Sequence, residues 1–319
     1  MSEPLDRAFA LEAVRVTEAA AMAAATQIGR GDEHAADQAA VEAMRAAFNQ
    51  LPINGTVVIG EGERDEAPML YIGEKVGAGG IEVDIALDPL EGTTLAAKAL
   101  PNALAVMAMA EPGTLLNAPD TYMDKIAIGG GYPEGTIDLD ADPAENVVAL
   151  AKAKGVKPDG ITACILDRPR HANIVESVRA AGAAVRLITD GDVAGVIATS
   201  DPTTGIDIYL GQGGAPEGVL AAAALRCVGG QIQTRLVFTK EEERARAARL
   251  GITDFNRKYS LMDLASGDVV FAATGVTDGS MLRGVHRQIG YMTTESVVMR
   301  SATGTVRWIR ARHRVTDGR

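Results

Sequence analysis

The sequence has 319 residues, a net charge of −11 at pH 7 and 47% hydrophobic residues. This length predicts about two lobes, and the composition is typical of a globular protein with a large core. The negative charge argues against nucleic acid and anionic membrane surfaces as partners. No apolar run approaches the roughly 18 residues of a membrane span, and the first residues lack the pattern of a signal peptide. We therefore expect a cytoplasmic protein.

The first part of the chain mixes helical and strand patterns. Apolar residues at helical spacing predict a helix over residues 8–28, and a second helix is predicted over residues 35–49. Strands are predicted over residues 56–59, 69–72, 82–87, 103–110 and 125–128. Together these elements predict an N-terminal α+β lobe, residues 1–141, with a largely antiparallel sheet.

The pattern changes near Asp142 and Pro143. Predicted helices now alternate with predicted strands, the helices over residues 144–154, 172–181, 193–198 and 219–228, and the strands over residues 161–166, 184–188 and 206–210. Such alternation is typical of parallel βαβ units and predicts a C-terminal α/β lobe, residues 142–319. Strands return over residues 268–273 and 291–309, and residues 310–319 are expected to fray. No flexible linker separates the lobes.

The two cysteines, Cys164 and Cys227, lie in an apolar segment and in an Ala-rich helical pattern. We expect both to be buried as small apolar side chains, since free cysteine is among the most buried residue types. A disulfide between them is the less favoured alternative.

Residues 88–94, DPLEGTT, bring two carboxylates and two hydroxyls into one turn after an apolar run. Pro89 cannot donate to a sheet ladder, so the strand is predicted to stop there. Asp88 and Glu91 offer the oxygen ligands that a hard divalent cation prefers. Thr93 is predicted at a helix N-terminus, which favours a phosphate. The alternative is an N-capped turn with solvated acids.

This segment resembles the Asp-Pro-x-Asp/Glu-Gly-Thr/Ser signature of the lithium-sensitive, metal-dependent sugar-phosphate phosphatases, a superfamily that includes inositol monophosphatases and fructose-1,6-bisphosphatases. Inositol monophosphatases usually carry Asp where this chain has Glu91. Several further blocks are similar, in order and spacing, to class II (bacterial-type) fructose-1,6-bisphosphatase: residues 29–32 (GRGD), 60–63 (GEGE), 65–73 (DEAPMLYIG), 116–120 (LNAPD), 190–192 (DGD) and 213–218 (GGAPEG). The resemblance implies an α/β, sugar-phosphatase-like αβαβα sandwich of two closely packed lobes.

The resemblance also implies a set of acidic metal ligands, namely Asp37, Glu61, Asp88, Glu91 and Glu217. Two or more Mg²⁺ or Mn²⁺ ions per subunit are expected, since both ions prefer carboxylate oxygens and the chain has only four histidines. Considered without the resemblance, Asp37 and Glu217 are better explained as acids in the first turn of a helix.

Two residues are expected to act on the attacking water by resemblance: Thr93 polarises or deprotonates it and Asp65 orients it. The residues expected to contact substrate are Glu91, Gly92, Thr93, Tyr122, Arg168, Pro169, Arg170, Asp190, Gly191, Asp192 and Gly214. Arginine forks suit the phosphate that does not react, and aspartates suit sugar hydroxyls. A solvated surface loop is the alternative for Arg168 and Arg170. Close relatives have Lys where this chain has Glu33.

The hypothesis that follows is a metal-dependent phosphatase of gluconeogenesis that removes the 1-phosphate of fructose 1,6-bisphosphate. The main alternative is a dual or preferential sedoheptulose-1,7-bisphosphatase of the Calvin cycle. A catalytically silent sugar-phosphate-binding regulator and an inositol-monophosphatase-like enzyme are less favoured, because Thr93, Glu91 and the expected ligands are all present. Lithium sensitivity and a homodimer or homotetramer are expected by resemblance.

Overall fold

The computed structural model describes residues 7–62 and 69–315. In chain order its helices are α1 (Phe9–Ala25), α2 (Glu33–Phe48), α3 (Thr93–Ala97), α4 (Pro143–Lys154), α5 (Ala172–Ala180), α6 (Asp192–Ile197), α7 (Ala215–Val228), α8 (Glu241–Arg249) and α9 (Leu261–Leu264). Its strands are β1 (Ile53–Ile59), β2 (Lys75–Val76), β3 (Ile81–Glu91), β4 (Leu104–Ala110), β5 (Tyr122–Ile128), β6 (Thr162–Leu166), β7 (Ala184–Ile188), β8 (Ile208–Gly214), β9 (Gln231–Val237), β10 (Tyr259–Ser260), β11 (Val269–Gly275), β12 (His286–Gln288), β13 (Tyr291–Arg300) and β14 (Thr305–Arg314).

The chain forms two compact units. The first comprises Met1–Leu115 and Gly267–Arg319, and the second comprises Leu116–Ser266. The predicted lobe boundary after residue 141 lies inside the second unit. The C-terminal strands belong to the first unit because β11 pairs with β4 along its whole length, from Val269 opposite Ala110 to Gly275 opposite Leu104.

The first unit is built on a sheet with the strand order β12-β13-β11-β4-β3-β1-β2, and β14 pairs with β13. Among the strand pairs of this sheet in the described residues, only β1 and β3 run parallel. The prediction of a largely antiparallel sheet is therefore confirmed. Helices α1 and α2 pack on this sheet through small side chains such as Ala20 and Ala40, both fully buried. These small residues allow the helices to approach closely in a core with few aromatic rings.

Strand β3 continues through Pro89 to Glu91, so the prediction that the strand stops at Pro89 is wrong. The reason is local. The parallel pairing with β1 ends at Ala86, and the register with β4 shifts between Asp88 and Glu91. Pro89 therefore occupies an irregular part of the ladder, where its missing N–H group costs little.

Two other sequence predictions fail in this unit. Residues 69–72 form no strand; Leu70 is fully buried at φ +56°, and its N–H group donates to the carboxylate of Glu74, which also accepts a 2.6 Å bond from Arg45 Nε. The Glu74 carboxylate thus binds a backbone N–H group that would otherwise pair with a neighbouring strand. Residues 310–314 do not fray, because they complete β14 against β13.

The second unit has three layers. Its sheet has the order β10-β9-β5-β8-β6-β7, in which β6 runs parallel to both β7 and β8. Helices α4 and α5 cover one face, where Val147 and Val178 share a core with Ile126. Helices α6 and α7 contact β6, β8 and β5 on the other face.

The helix–sheet layering of both units confirms the predicted α/β class. The predicted parallel βαβ arrangement is confirmed for β6, β7 and β8, whereas β5, β9 and β10 form antiparallel pairs. Cys164 and Cys227 form no disulfide and both are buried, as expected. In the described ranges, no helix combines the length and the apolar character needed to cross a membrane.

Candidate active site

In the first unit, the parallel register of β1 and β3 gathers acidic residues at one sheet edge. The last pair of that register joins Ile59 to Ala86. Glu61 and Asp88 each follow this pair by two residues, so they lie at the same edge of neighbouring strands. Asp88 Oδ1 accepts a 3.0 Å bond from the Leu90 N–H group, and Glu91 is 4% exposed at the end of β3. The predicted ligands Glu61, Asp88 and Glu91 therefore belong to one edge.

Gly92 turns the end of β3 directly into α3. Its φ of +82° is left-handed, and an added Cβ would lie 2.8 Å from Leu95 Cδ1, so glycine is required at this turn. Thr93 is consequently the first residue of α3 and is half-buried. The hydroxyl of its neighbour Thr94 donates to Glu33 Oε1 at 2.9 Å. Glu33 at the start of α2 thus binds Thr94.

The loop between α1 and α2 is fixed to the far end of α3. The N–H groups of Gly29 and Gly31 donate to the carbonyls of Ala96 and Ala97 at 3.0 and 2.9 Å. Together with the bond between Glu33 and Thr94, these contacts hold the start of α2 against α3. Asp37 lies in the second turn of α2, and burial raises the pKa of its carboxyl group although His34 attracts the charged form.

The predicted water-orienting residue, Asp65, lies outside the described residues. The chain on both sides of that segment is closely held, since the Glu61 N–H group donates to the Leu70 carbonyl at 3.1 Å and the Ile72 N–H group donates to the Gly62 carbonyl at 2.9 Å. An added Cβ on Gly60 would lie 2.2 Å from the Leu70 oxygen. These contacts fix the backbone of Glu61.

In the second unit, the predicted substrate residues meet at one edge of the sheet. Strands β6, β7 and β8 are parallel, and Arg168, Asp190 and Gly214 lie at or just beyond their carboxyl ends. Tyr122 begins β5 directly opposite Gly214 in the antiparallel register. In α/β sheets, ligands bind outside the carboxyl ends of the parallel strands.

The two arginines at this edge are held by backbone carbonyls. Arg168 Nη1 donates to the Thr189 oxygen at 2.6 Å, and Arg170 Nη2 donates to the Gln212 oxygen at 2.8 Å. The Arg170 guanidinium also stacks 5.0 Å above the centre of the Tyr122 ring. Pro169 begins a short 3₁₀ turn between them. The loop is therefore held by specific contacts, although Pro169 and Arg170 are exposed.

The Asp190-Gly191-Asp192 turn opens α6. Gly191 has a φ of +85°, and its N–H group donates to Asp190 Oδ1 at 3.1 Å. Asp192 points inward and is 6% exposed, with its Oδ2 atom 2.5 Å from the ammonium group of Lys125.

Glu217 lies in the first turn of α7, and its carboxyl group is strongly perturbed. Burial, followed by repulsion from Asp192, raises the pKa of Glu217 to about 7, although Lys125 opposes the shift. Its Oε2 atom is buried and has no hydrogen-bond partner among the described residues. An added Cβ on Gly214 would lie 1.9 Å from that oxygen, so glycine makes the room for the carboxylate.

A divalent cation fits the chemistry of these acids. The unbonded buried oxygen of Glu217 and the raised pKa of Asp37 both indicate carboxylates whose negative charge is only partly compensated, by Lys125 and His34 respectively. Nevertheless, no group of three or more His, Cys, Asp or Glu within residues 7–62 and 69–315 is arranged to hold an ion. The structure thus places the predicted ligands at sheet edges and helix starts without forming a complete coordination sphere from the described residues.

Sequence reasoning did not single out Lys125 or the full role of His171. His171 is 2% exposed; its Nδ1–H group donates to the Leu166 oxygen at 2.8 Å, and its Nε2 atom accepts a 2.9 Å bond from the Gln212 N–H group. The ring therefore supports the backbone of Gln212, whose carbonyl holds Arg170. The only sequence signal for Lys125 is a charged residue before the apolar run Ile126-Ala127-Ile128.

We expect His171→Ala to destabilise the protein by about 2 kcal/mol or more, because two buried backbone groups lose their partner. Burial lowers the pKa of His171, and Arg170 and Arg168 lower it further, whereas Leu166 and Asp124 oppose the shift. The folded state therefore prefers the neutral ring, so this stabilisation is complete above the unfolded-state pKa of roughly 6.5 and is lost as pH falls below it.

Urea unfolding between pH 8 and pH 5 measures this effect. The wild type should lose stability towards pH 5 more steeply than His171→Ala does. Equal slopes for the two proteins would contradict the assignment of the neutral ring.

The carboxylates at the edge of one sheet and the arginines at the edge of the other define the kind of protein: an α/β enzyme equipped for phosphate esters. Comparison with known proteins narrows this class. Residues 7–313 match the family described as bacterial fructose-1,6-bisphosphatase, glpX-encoded. The chain belongs to this family of class 2 fructose-1,6-bisphosphatases.

Individual relatives resemble the chain over almost its full length. The chain is 45% identical over 322 aligned positions to fructose-1,6-bisphosphatase 1 class 2 of Escherichia coli (strain K12), covering 96% of this chain and 95% of that relative. It is 43% identical over 340 aligned positions to the D-fructose 1,6-bisphosphatase class 2/sedoheptulose 1,7-bisphosphatase of Synechococcus sp. (strain JA-3-3Ab), covering 98% and 97%.

Proposed function

We propose that the protein hydrolyses the 1-phosphate of fructose 1,6-bisphosphate to give fructose 6-phosphate and phosphate, as a step of gluconeogenesis. The observation that carries this proposal is the first sheet edge, where Glu61 and Asp88 follow the last pair of two parallel strands and where β3 ends at Glu91, two residues before Thr93 begins α3. Full-length similarity to proteins named fructose-1,6-bisphosphatase supports the substrate.

The residues that would hold divalent ions are Asp37, Glu61, Asp88, Glu91 and Glu217, with Mg²⁺ or Mn²⁺ as the ions. Such ions supply charge neutralisation to the phosphoryl group and to the leaving oxygen. A set of proposed ligands made only of carboxylates, with no histidine or cysteine among them, suits these hard cations better than zinc. The only partly compensated charge of Glu217 and Asp37 supports the same assignment.

Thr93 is proposed to act on the attacking water through its hydroxyl group, and Asp65 to orient that water. Gly92 supports this role of Thr93, because its left-handed backbone ends β3 abruptly and leaves the Thr93 side chain half-buried at the start of α3. Thr94 is engaged by Glu33 and so is a poor candidate for the same task.

Sugar and phosphate recognition is proposed for the edge of the second unit. In the first unit, Glu91, Gly92 and Thr93 are proposed as substrate contacts. The guanidinium groups of Arg168 and Arg170 are held in place by carbonyls and still carry further N–H donors for a phosphate. Asp190, Asp192 and Tyr122 offer groups for sugar hydroxyls, while Pro169, Gly191 and Gly214 shape the backbone. A cytoplasmic homodimer or homotetramer is part of the proposal, and light scattering at the mass of a single chain would contradict the oligomer.

A second candidate activity is sedoheptulose-1,7-bisphosphate hydrolysis, which the name of the Synechococcus relative favours. Phosphate release from the two bisphosphates and from inositol 1-phosphate, each with Mg²⁺ or Mn²⁺, tests both candidates. We expect the highest kcat/KM for fructose 1,6-bisphosphate. Binding of this substrate without phosphate release would instead support the silent regulator, and a preference for the seven-carbon substrate would reverse the order of the two candidates.

Lithium is expected to inhibit the enzyme in the millimolar range. Li⁺ is similar to Mg²⁺ in size but carries half the charge, so it can replace one ion without giving the same electrostatic stabilisation. Raising the Mg²⁺ concentration should relieve the inhibition, whereas Na⁺ at the same ionic strength should have little effect. Activity indifferent to lithium would weaken the proposed metal ligands.

A further inference from the structure

Lys125 is a charged residue placed where charges are rarely found. Its side chain is 1% exposed, on a strand at the centre of the second unit's sheet. Alternation along β5 directs Lys125 and Met123 to the face opposite Ile126, which is the face covered by α6 and α7. A buried ammonium group is costly unless it is paired.

The partner of Lys125 is Asp192, a residue of the proposed substrate edge. Lys125 Nζ lies 2.5 Å from Asp192 Oδ2, and the Asp192 side chain is 7% exposed. This bond commits one carboxylate oxygen of Asp192 and leaves Oδ1 as the oxygen that can accept a sugar hydroxyl. The ion pair therefore determines which carboxylate oxygen of Asp192 can accept a hydrogen bond from a sugar hydroxyl.

Two glycines make the space for this pair. An added Cβ on Gly213 would lie 1.9 Å from Asp192 Oδ2 and 3.2 Å from Lys125 Nζ. An added Cβ on Gly218 would lie 2.4 Å from Met123 Sδ and 3.2 Å from Lys125 Cε. The strand and the helix around the pair thus lack side chains where the lysine and the carboxylate need room, and the pair has little freedom to move.

The ion pair lies at the substrate edge of this sheet. Asp192 is the first residue of α6, directly after the Asp190-Gly191 turn. Gly213, which leaves room for the Asp192 carboxylate, precedes Gly214 at the carboxyl end of β8. The pair therefore joins the buried centre of the sheet to the predicted substrate residues.

We propose that Lys125 is a positioning residue for sugar recognition, which holds the Asp192 carboxylate in one orientation at the substrate edge. This inference rests on the proposed function, in which Asp192 accepts a sugar hydroxyl. Lys125 itself does not touch the substrate and acts through Asp192.

The test compares Lys125→Met, Asp192→Asn and the double variant. We expect Lys125→Met to raise KM for fructose 1,6-bisphosphate by about 10-fold or more, because a charge-assisted bond to Asp192 is lost. The value of kcat should change less than about 3-fold, since the interaction is a ground-state one. In the Asp192→Asn background, Lys125→Met should raise KM no further. The matched control is Lys154→Met, which removes another lysine–aspartate pair of the same unit, Lys154 with Asp207.

The outcomes separate positioning from stability. A fall in folded fraction with unchanged KM, or a further rise in KM in the double variant, would overturn the proposal. If Lys125→Met alone does not fold, the KM values of Asp192→Asn and the double variant are compared to test the proposal. The double variant is suitable because it buries neither the lysine nor the aspartate charge. The affinity for fructose 6-phosphate, measured by calorimetry, tests the same coupling between Lys125 and Asp192 without turnover. Failure of the wild type to hydrolyse fructose 1,6-bisphosphate would overturn the proposed function, independently of that coupling.

Discussion

Replacement of Thr93 by alanine is expected to lower kcat by about 10²-fold or more, the usual contribution of general acid–base catalysis. KM should change little, because the hydroxyl is proposed to act on the attacking water and not on the bound substrate. Thr93 begins α3 at the end of β3, and the left-handed turn at Gly92 does not depend on the threonine side chain. The fold should therefore survive the substitution. Steady-state kinetics at saturating Mg²⁺ or Mn²⁺ measure the effect.

The neighbouring hydroxyl provides the matched control. Thr94→Ala removes the bond to Glu33, a contact that joins α2 to α3, and leaves Thr93 in place. We expect Thr94→Ala to cost stability of about 1 kcal/mol, the net value of a hydrogen bond, and to keep kcat within a few-fold of wild type. Thr93→Ser should retain part of the activity. A Thr93→Ala variant within a few-fold of wild type would reassign this residue to the helix start.

Removal of divalent ions is expected to abolish hydrolysis, and Glu61→Gln or Asp88→Asn to lower kcat by about 10²-fold or more, a loss typical of removing a main electrostatic contribution. These two acids follow neighbouring parallel strands at the same edge, so both variants should also require more Mg²⁺ or Mn²⁺ for half-maximal activity. Neither side chain belongs to the hydrophobic core of the first unit. Activity after EDTA treatment and readdition of metal measures the dependence.

Glu82→Gln is the control for this experiment, because Glu82 is exposed near the opposite end of β3. It should show wild-type activity and wild-type metal dependence. Calorimetric Mn²⁺ binding gives a second measurement that needs no turnover, with weaker binding expected for Glu61→Gln and Asp88→Asn alone. Full turnover after exhaustive EDTA treatment would contradict the metal requirement.

The two variants Glu61→Gln and Asp88→Asn also test how the fold forms its first site edge. Glu61 and Asp88 are 27 positions apart in the sequence, and only the pairing of Ile59 with Ala86 makes them neighbours. In the second unit, parallel strands likewise bring residues that are distant in sequence to one edge, namely Arg168, Asp190 and Gly214. Candidate residues could therefore be named from sequence blocks, but their grouping depends on strand register.

Local patterns predicted many elements with small errors at their ends. β7 has the predicted bounds, Ala184–Ile188, and α4 differs from the predicted helix by one residue. These elements follow from apolar periodicity and from the Pro and Gly residues beside them. The same reasoning failed for residues 69–72 and at Pro89, where a buried side-chain carboxylate and a shifted register replace the expected ladder. Both depend on residues that sequence neighbours do not reveal.

The sequence by itself determined the α/β class, the family resemblance and the identity of the acidic, threonine and arginine candidates, because these depend on residue types, their order and local periodicity. The tertiary structure decided that β11–β14 complete the first unit's sheet, that His171 supports Gln212, and that Lys125 is buried against Asp192. The physical reason is that strand pairing and buried charge pairing join distant segments. Their partners are selected by packing and desolvation, which no local pattern records.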